Sequence, residues 1–237
     1  MAADASPRTH APGDPRGMCA LAWDYLPGMT GMQADTIFTA PVLIVRQKTK
    51  LIEVSNEYTV HDQQGESIAD VRQVGQALAQ KALRFLGTPA DRLLTFKLKV
   101  SDPDGNVLLM LTRPAKLVKS RLVVHDGEGD ELGQILQENV LGKKSFSLQV
   151  GGEELGKVVG NWASQEFVVQ DRLGTDVAHL SNTLDGLSML DLIPGNMYDT
   201  FSSADSYAVE ILQPIDQPLR SLVVAAALAI DVALHQA

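Results

Sequence analysis

The amino-acid sequence predicts a mainly β protein, with about twelve antiparallel strands closed into a barrel around a buried apolar C-terminal helix. Three observations carry this. The phrase Asp-x-x-Gly, set between two apolar runs, recurs at Asp62, Asp102, Asp126 and Asp171. The runs beside it alternate apolar and polar residues. The stretch 219–236 is rich in Ala, Leu and Val on nearly every side.

Residues 1–41 hold five of the eleven prolines and show no sustained period, so they read as a flexible tail. The barrel domain is expected over 42–237. In each recurring phrase Asp starts a turn by accepting hydrogen bonds from its own backbone, and Gly takes a positive φ. That is a β-hairpin written four times, with Gly151-Gly152 turning a fifth. The spacing of the four is irregular, which excludes a propeller or solenoid. In the run 95–101, Phe96, Leu98 and Val100 point one way and Lys97 and Lys99 the other. Phe146, Leu148 and Val150 alternate likewise. Such strands have one buried and one wet face. Gln76–Leu86 is amphipathic at helical spacing and reads as a short surface helix. The 219–236 helix has no wet face and must be enclosed. Closing the strands around it buries that helix and removes exposed strand edges together. Ala225, Ala226, Ala227 and Ala229 suit a tight bore.

Composition narrows the function. The chain has 237 residues, 45% of them apolar, enough for a packed core. Its net charge of −9 argues against nucleic acid as a partner. A single cysteine, Cys19, excludes an internal disulfide, and no export signal is visible at the start. The chain therefore reads as cytoplasmic. The apolar run 222–230 is short for a bilayer span, and even the longer stretch 221–234 falls short and contains Asp231. Gly151–Lys157 has P-loop spacing but carries Val158 in place of Ser or Thr and sits on a hairpin. Gly186-Leu187-Ser188 is half of a nucleophile elbow. The five histidines show no i,i+4 pairing, so no hydrolytic, redox or metal-ligating motif stands out.

Several segments, in order, resemble the phospholipid scramblase-related branch of the Tubby C-terminal-like superfamily, which also holds the LURP-one-related proteins. They are VLIVRQKTKLIEVSNEYTVHDQQGESIADVRQ (42–73), LTRPAKLVKSRLVVHD (111–126), WASQEFVVQDRLGTDVAHL (162–180), and ADSYAVEI (204–211) leading into PLRSLVVAAALAIDVALHQ (218–236). The last pair is similar to the family's calcium segment and terminal helix. The resemblance implies a barrel threaded by that helix and a protein that binds phospholipid at the inner face of the plasma membrane. It implies movement of phospholipid between leaflets without covalent catalysis or a required cofactor. The alternative it offers is a LURP-one-like interaction scaffold, with the 1–41 tail recruiting a protein partner.

Two strips are the candidate sites. Arg113, Lys116, Lys119 and Arg121 lie within nine residues and are the candidate contacts for anionic lipid headgroups; the other reading of the strip is an ordinary charged outer face. Between Arg172 and Arg220 there is no Lys or Arg, and Asp199, Asp205, Glu210 and Asp216 are the carboxylates for a calcium site. The other reading of this strip is a solvated acidic face, with Glu210 pointing to water from a strand. Asp231 is the polar residue of the buried helix, expected near the barrel mouth with its carboxylate capped; the alternative is a polar anchor or an element of a lipid path.

Overall fold

The computed structural model describes residues 36–47, 57–75, 95–114, 120–138, 145–161, 165–181 and 206–234, with Asn161 and 231–234 by backbone alone. Twelve strands form one closed barrel: β1 (Val42–Gln47), β2 (Glu57–His61), β3 (Ser67–Gln73), β4 (Phe96–Ser101), β5 (Val107–Arg113), β6 (Arg121–Asp126), β7 (Glu131–Gln137), β8 (Phe146–Val150), β9 (Glu153–Asn161), β10 (Glu166–Asp171), β11 (Asp176–Ser181) and β12 (Ser206–Ile211). Every strand pairs antiparallel with its sequence neighbours, and β1 closes the ring against β12, with Val42 opposite Glu210 and Val45 opposite Tyr207. One helix, α1 (Leu219–Leu234), follows.

The four recurring phrases form the same turn. In each, the Gly N–H donates to the Asp carbonyl three residues earlier: Gly65 to Asp62, Gly105 to Asp102, Gly129 to Asp126 and Gly174 to Asp171. The four glycines have φ between +82° and +99°. The Asp side chain accepts from the backbone two or four residues on, as in Gln64 N and Glu66 N to Asp62 Oδ1 at 2.9 Å. A bulge follows each turn: Ile68, Leu108, Leu132 and Val177 are the extra residues of the outgoing strands, opposite Val60/His61, Val100/Ser101, Val124/His125 and Val169/Gln170. Together with the positive-φ glycine, the bulge adds the twist a barrel needs. His61 Nδ1 lies 3.1 Å from Gly65 O, so this histidine belongs to its turn.

An eight-stranded barrel is filled by its own side chains; twelve strands leave a bore. α1 occupies it. Leu222, Val223, Val224, Ala225, Ala226, Ala227 and Leu228 are seven consecutive residues, none more than 3% exposed. Two turns of helix are thus covered on all sides, as the apolar periphery predicts. The inward residues of the strands, including Leu98, Leu109, Leu111, Leu148 and Val209, complete one core with it.

Connectivity gives the barrel two unlike ends. The turns β2–β3, β4–β5, β6–β7, β8–β9 and β10–β11 all lie at one, here called the turn end. The strand ends joined by the other strand-to-strand connections lie at the opposite mouth. α1 starts at the turn end, where Ile211 N donates to Pro41 O at 2.8 Å, and runs toward the mouth.

Two features differ from the sequence reading. Residues 36–41, assigned there to a tail, carry Ile37 and Ala40, each 0% exposed and part of the core. Arg220, buried at the start of α1, donates to the carbonyls of Ile37 (3.1 Å) and Ala40 (2.6 Å). Charge-assisted bonds of this kind tie the chain before β1 to the helix start. Glu210 does not point to water: it is 1% exposed, on the outward-facing side of β12, between Val42 of β1 and His179 of β11. That side of β1 and β12 is itself covered, since Val42, Ile44 and Ala208 are all 0% exposed. The expected helix 76–86 lies outside the described residues.

Candidate lipid-facing mouth

The basic strip divides across the wall of the barrel. Arg113 ends β5, and alternation from Leu109 and Leu111 turns it inward. Its guanidinium carbon stands 5.3 Å from the centroid of Phe96, the inward residue opposite it on β4. A cation over an aromatic face at this distance is attractive. Arg121 begins β6, points outward and is exposed. Lys116 and Lys119 lie outside the described residues.

Beneath Arg113 is a cavity of about 50 Å³. Its walls are Phe96, Leu98, Leu122, Ile135, Phe146 and Val158 from the strands and Ala226, Ala229 and Ile230 from α1, with Ser120 at its edge. It exists because α1 presents alanines where the mouth ends of β4 to β9 present larger residues. On the other side of the wall, Arg121 borders a shallow polar groove with Gln137, Ser147 and Gln149. Ser120 N donates to Gln137 Oε1 at 3.2 Å, and Gln149 Nε2 to Ser147 Oγ at 2.9 Å. Glu138 also lines the groove and accepts from Ser145 Oγ at 2.9 Å. Ser120 borders both spaces, so an apolar hollow and a polar groove meet at one rim residue.

Charge separates along the barrel axis. Between their strand ends the five hairpin turns hold six acids, Asp62, Glu66, Asp102, Asp104, Glu128 and Asp130, and one base, Arg172. At the mouth the described cations are Arg46, Arg72, Lys97, Arg113 and Arg121, against Glu57, Glu138 and Glu166. The segments 48–56, 76–94, 115–119 and 139–144 join strand ends at that mouth, and their sequences hold nine Lys or Arg against Glu53 and Asp91. The segment 182–205 joins β11 to β12 at the same end and adds four acids, Asp185, Asp191, Asp199 and Asp205, so the cations gather on the sector of β1 to β8.

The carboxylates named for calcium do not form a described site. Asp216 is exposed at the turn end and Glu210 is buried in the wall; Asp199 and Asp205 lie outside the described residues. Among the described residues no three His, Cys, Asp or Glu group to hold a metal ion. The backbone at Asp231 continues α1, and its side chain lies outside the description. No described helix is long and apolar enough to cross a membrane. The inward turn of Arg113 escaped the sequence reading, although the Leu109, Leu111, Arg113 alternation holds it.

The described residues thus form an antiparallel barrel around the chain's own terminal helix. The scramblase family model matches residues 28–236, and the chain belongs to the scramblase family. It is similar to a phospholipid scramblase family protein of Schizosaccharomyces pombe, 24% identical over 171 residues. That match covers 65% of this chain and 44% of the yeast protein, so the chain spans less than half the length of that relative. A solved Arabidopsis thaliana protein aligns with a TM-score of 0.47 at 13% identity, covering 83% of this chain and 96% of that one.

Proposed function

We propose that this protein is a peripheral phospholipid-binding member of its family, which meets an anionic membrane surface with the barrel mouth. Charge separation along the axis is the observation that carries the reading. A net charge of −9 opposes binding to an anionic surface only if the acids come near it. A six-residue strand tilted in a barrel sets the two ends about 15 Å apart. Charges are screened over about 8 Å at physiological salt. With the mouth against the membrane, the acidic turns are nearly two screening lengths away, while each cation near the surface contributes about 1 kcal/mol. Lipid is handled here by contact, without covalent chemistry. Because two turns of α1 are enclosed by the barrel, the bound form rests on the surface rather than spanning the bilayer by this helix.

Co-sedimentation tests this. Binding to vesicles containing phosphatidylserine, absent with pure phosphatidylcholine and lost at high salt, is the expected result; repeating it with and without calcium asks whether the ion contributes. Translocation of a dye-labelled phospholipid in proteoliposomes then asks whether bound lipid is moved. Equal binding to neutral vesicles, or none to either, would overturn the reading and leave the scaffold function.

A further inference from the structure

The hollow under Arg113 has no part in surface attraction, and its chemistry is specific. Its walls are apolar on the strand side and on the helix side, so it gives a hydrocarbon group an enclosed place out of water. Its rim carries a cation. The guanidinium of Arg113 is held against Phe96, and its planar set of donors matches a phosphate or carboxylate. Ser120 lines this hollow and also the polar groove across the wall, which Arg121 borders. Apolar floor and cationic lip are the two halves of a site for an amphiphile.

We propose that the mouth binds one alkyl chain bearing an anionic head, with the chain end in the hollow against Ala226, Ala229 and Ile230 and the head at Arg113. This rests on the lipid-binding reading above and deepens it from a surface to a site. The size of the hollow limits the ligand. It is about a third of the ~150 Å³ apolar cavity that admits benzene. It therefore takes the last carbons of a chain, and the rest lies along Phe96 and Arg113. The floor at Leu98 lies two strand residues below the Phe96–Arg113 pair, about 7 Å, so a short chain reaches from floor to lip. Two sources share this chemistry: a free acyl or alkyl anion, and one chain of a membrane phospholipid.

The probe is octyl phosphate, with inorganic phosphate and octyl glucoside as controls for head and chain. Titration calorimetry on the full chain is expected to show one octyl phosphate per protein, bound at least tenfold more tightly than either control. The Ile230 methyl resonances are expected to shift with octyl phosphate and stay in place with phosphate. Ala229→Leu, which fills the hollow from a half-buried position, is expected to weaken binding at least tenfold at an unchanged melting temperature. Arg113→Gln is expected to erase the preference for octyl phosphate over octyl glucoside. The methyl shifts need no variant, so they decide the matter even if Ala229→Leu folds poorly. Binding without an Ile230 shift, or no tighter than phosphate, would overturn the site. If octyl phosphate fails while phosphatidylserine vesicles still bind, the hollow falls and the peripheral reading stands. If octyl phosphate binds as described and vesicles do not, the site stands as one for a free anion and the membrane reading falls.

Discussion

The guanidinium of Arg113 lies over the ring of Phe96, 5.3 Å from its centroid, and both residues line the hollow at the mouth of the barrel. An inward arginine in a barrel wall is costly unless its charge is met. Here the aromatic face meets part of it, at the end of the strand where water is near. The pair therefore couples the charge proposed to meet an anionic head with the packing of the mouth.

A double-mutant cycle measures that coupling. Arg113→Gln and Phe96→Leu, singly and together, are expected to show a coupling of about 0.5–1 kcal/mol in urea unfolding, the range for cation–π pairs that keep some contact with water. Additive losses would show that the stacking contributes nothing to stability.

The turn chemistry makes a second expectation. Gly105 has φ +92°, and no atom lies within 4 Å of where a β-carbon would stand. Gly105→Ala thus meets backbone strain without a clash, and is expected to cost about 1–2 kcal/mol. Gly105→Asn is expected to recover part of it, because asparagine tolerates the left-handed region better. Equal stability of all three proteins in urea would mean the turn relaxes at no cost.

Gly133 tests how closely α1 is gripped. A β-carbon there would collide with the Gln149 carbonyl of β8 and stand 3.3 Å from Leu222 Cδ1 on the helix. Gly133→Ala is expected to destabilise by about 1–3 kcal/mol through overpacking. Leu222→Ala, which leaves a void at a residue 0% exposed, is expected to cost about 2–5 kcal/mol. Both are read from chemical denaturation. A neutral Leu222→Ala would contradict an enclosed helix.

How much of this was legible in the sequence follows from the range of each interaction. Asp102 and Gly105 make their turn with their own backbone, so four residues suffice to read it. The helix was legible because residues such as Val223 and Ala227 leave no polar stripe, and only enclosure satisfies that. Glu210 was misread because strand alternation tells which side a residue takes, but not whether that side is covered. Ile37 and Ala40 were misread because their burial depends on Arg220, some 180 residues away. Arg113 was grouped by charge with Arg121, whereas parity along the two strands sends them to opposite sides of the wall.

Asp102 carries a pH expectation. Hydrogen bonds from the Asn106 side chain first, and from the backbone N–H groups of its turn, hold its carboxyl below the usual 3.8. A carboxyl depressed in the folded state favours folding at pH above its unfolded value. That contribution is expected to be full above about pH 4 and to fade as pH falls through the lower folded value. An NMR titration of Asp102 should show its midpoint below that of an unfolded peptide. An unshifted midpoint, or one that does not rise in Asn106→Ala, would remove the turn bonds as its cause.

The axial separation of charge predicts opposite behaviour at the two ends of one molecule. Arg121→Gln, at the mouth, removes a cation worth about 1 kcal/mol near an anionic surface, and vesicle affinity is expected to fall about fivefold. Asp104→Asn with Glu128→Gln, two exposed acids at the turn end, changes net charge by a larger amount in the favourable direction. If net charge governed binding, that double variant would gain more than Arg121→Gln loses. If position governs it, the turn-end variant should bind as the parent does at physiological salt, where charges about 15 Å from the surface are screened. Lowering the ionic strength lengthens the screening distance, so the turn-end variant should begin to outbind the parent only then. Co-sedimentation across a salt series separates the cases. A turn-end variant that already outbinds the parent at physiological salt would show that the mouth is not the surface that meets the membrane.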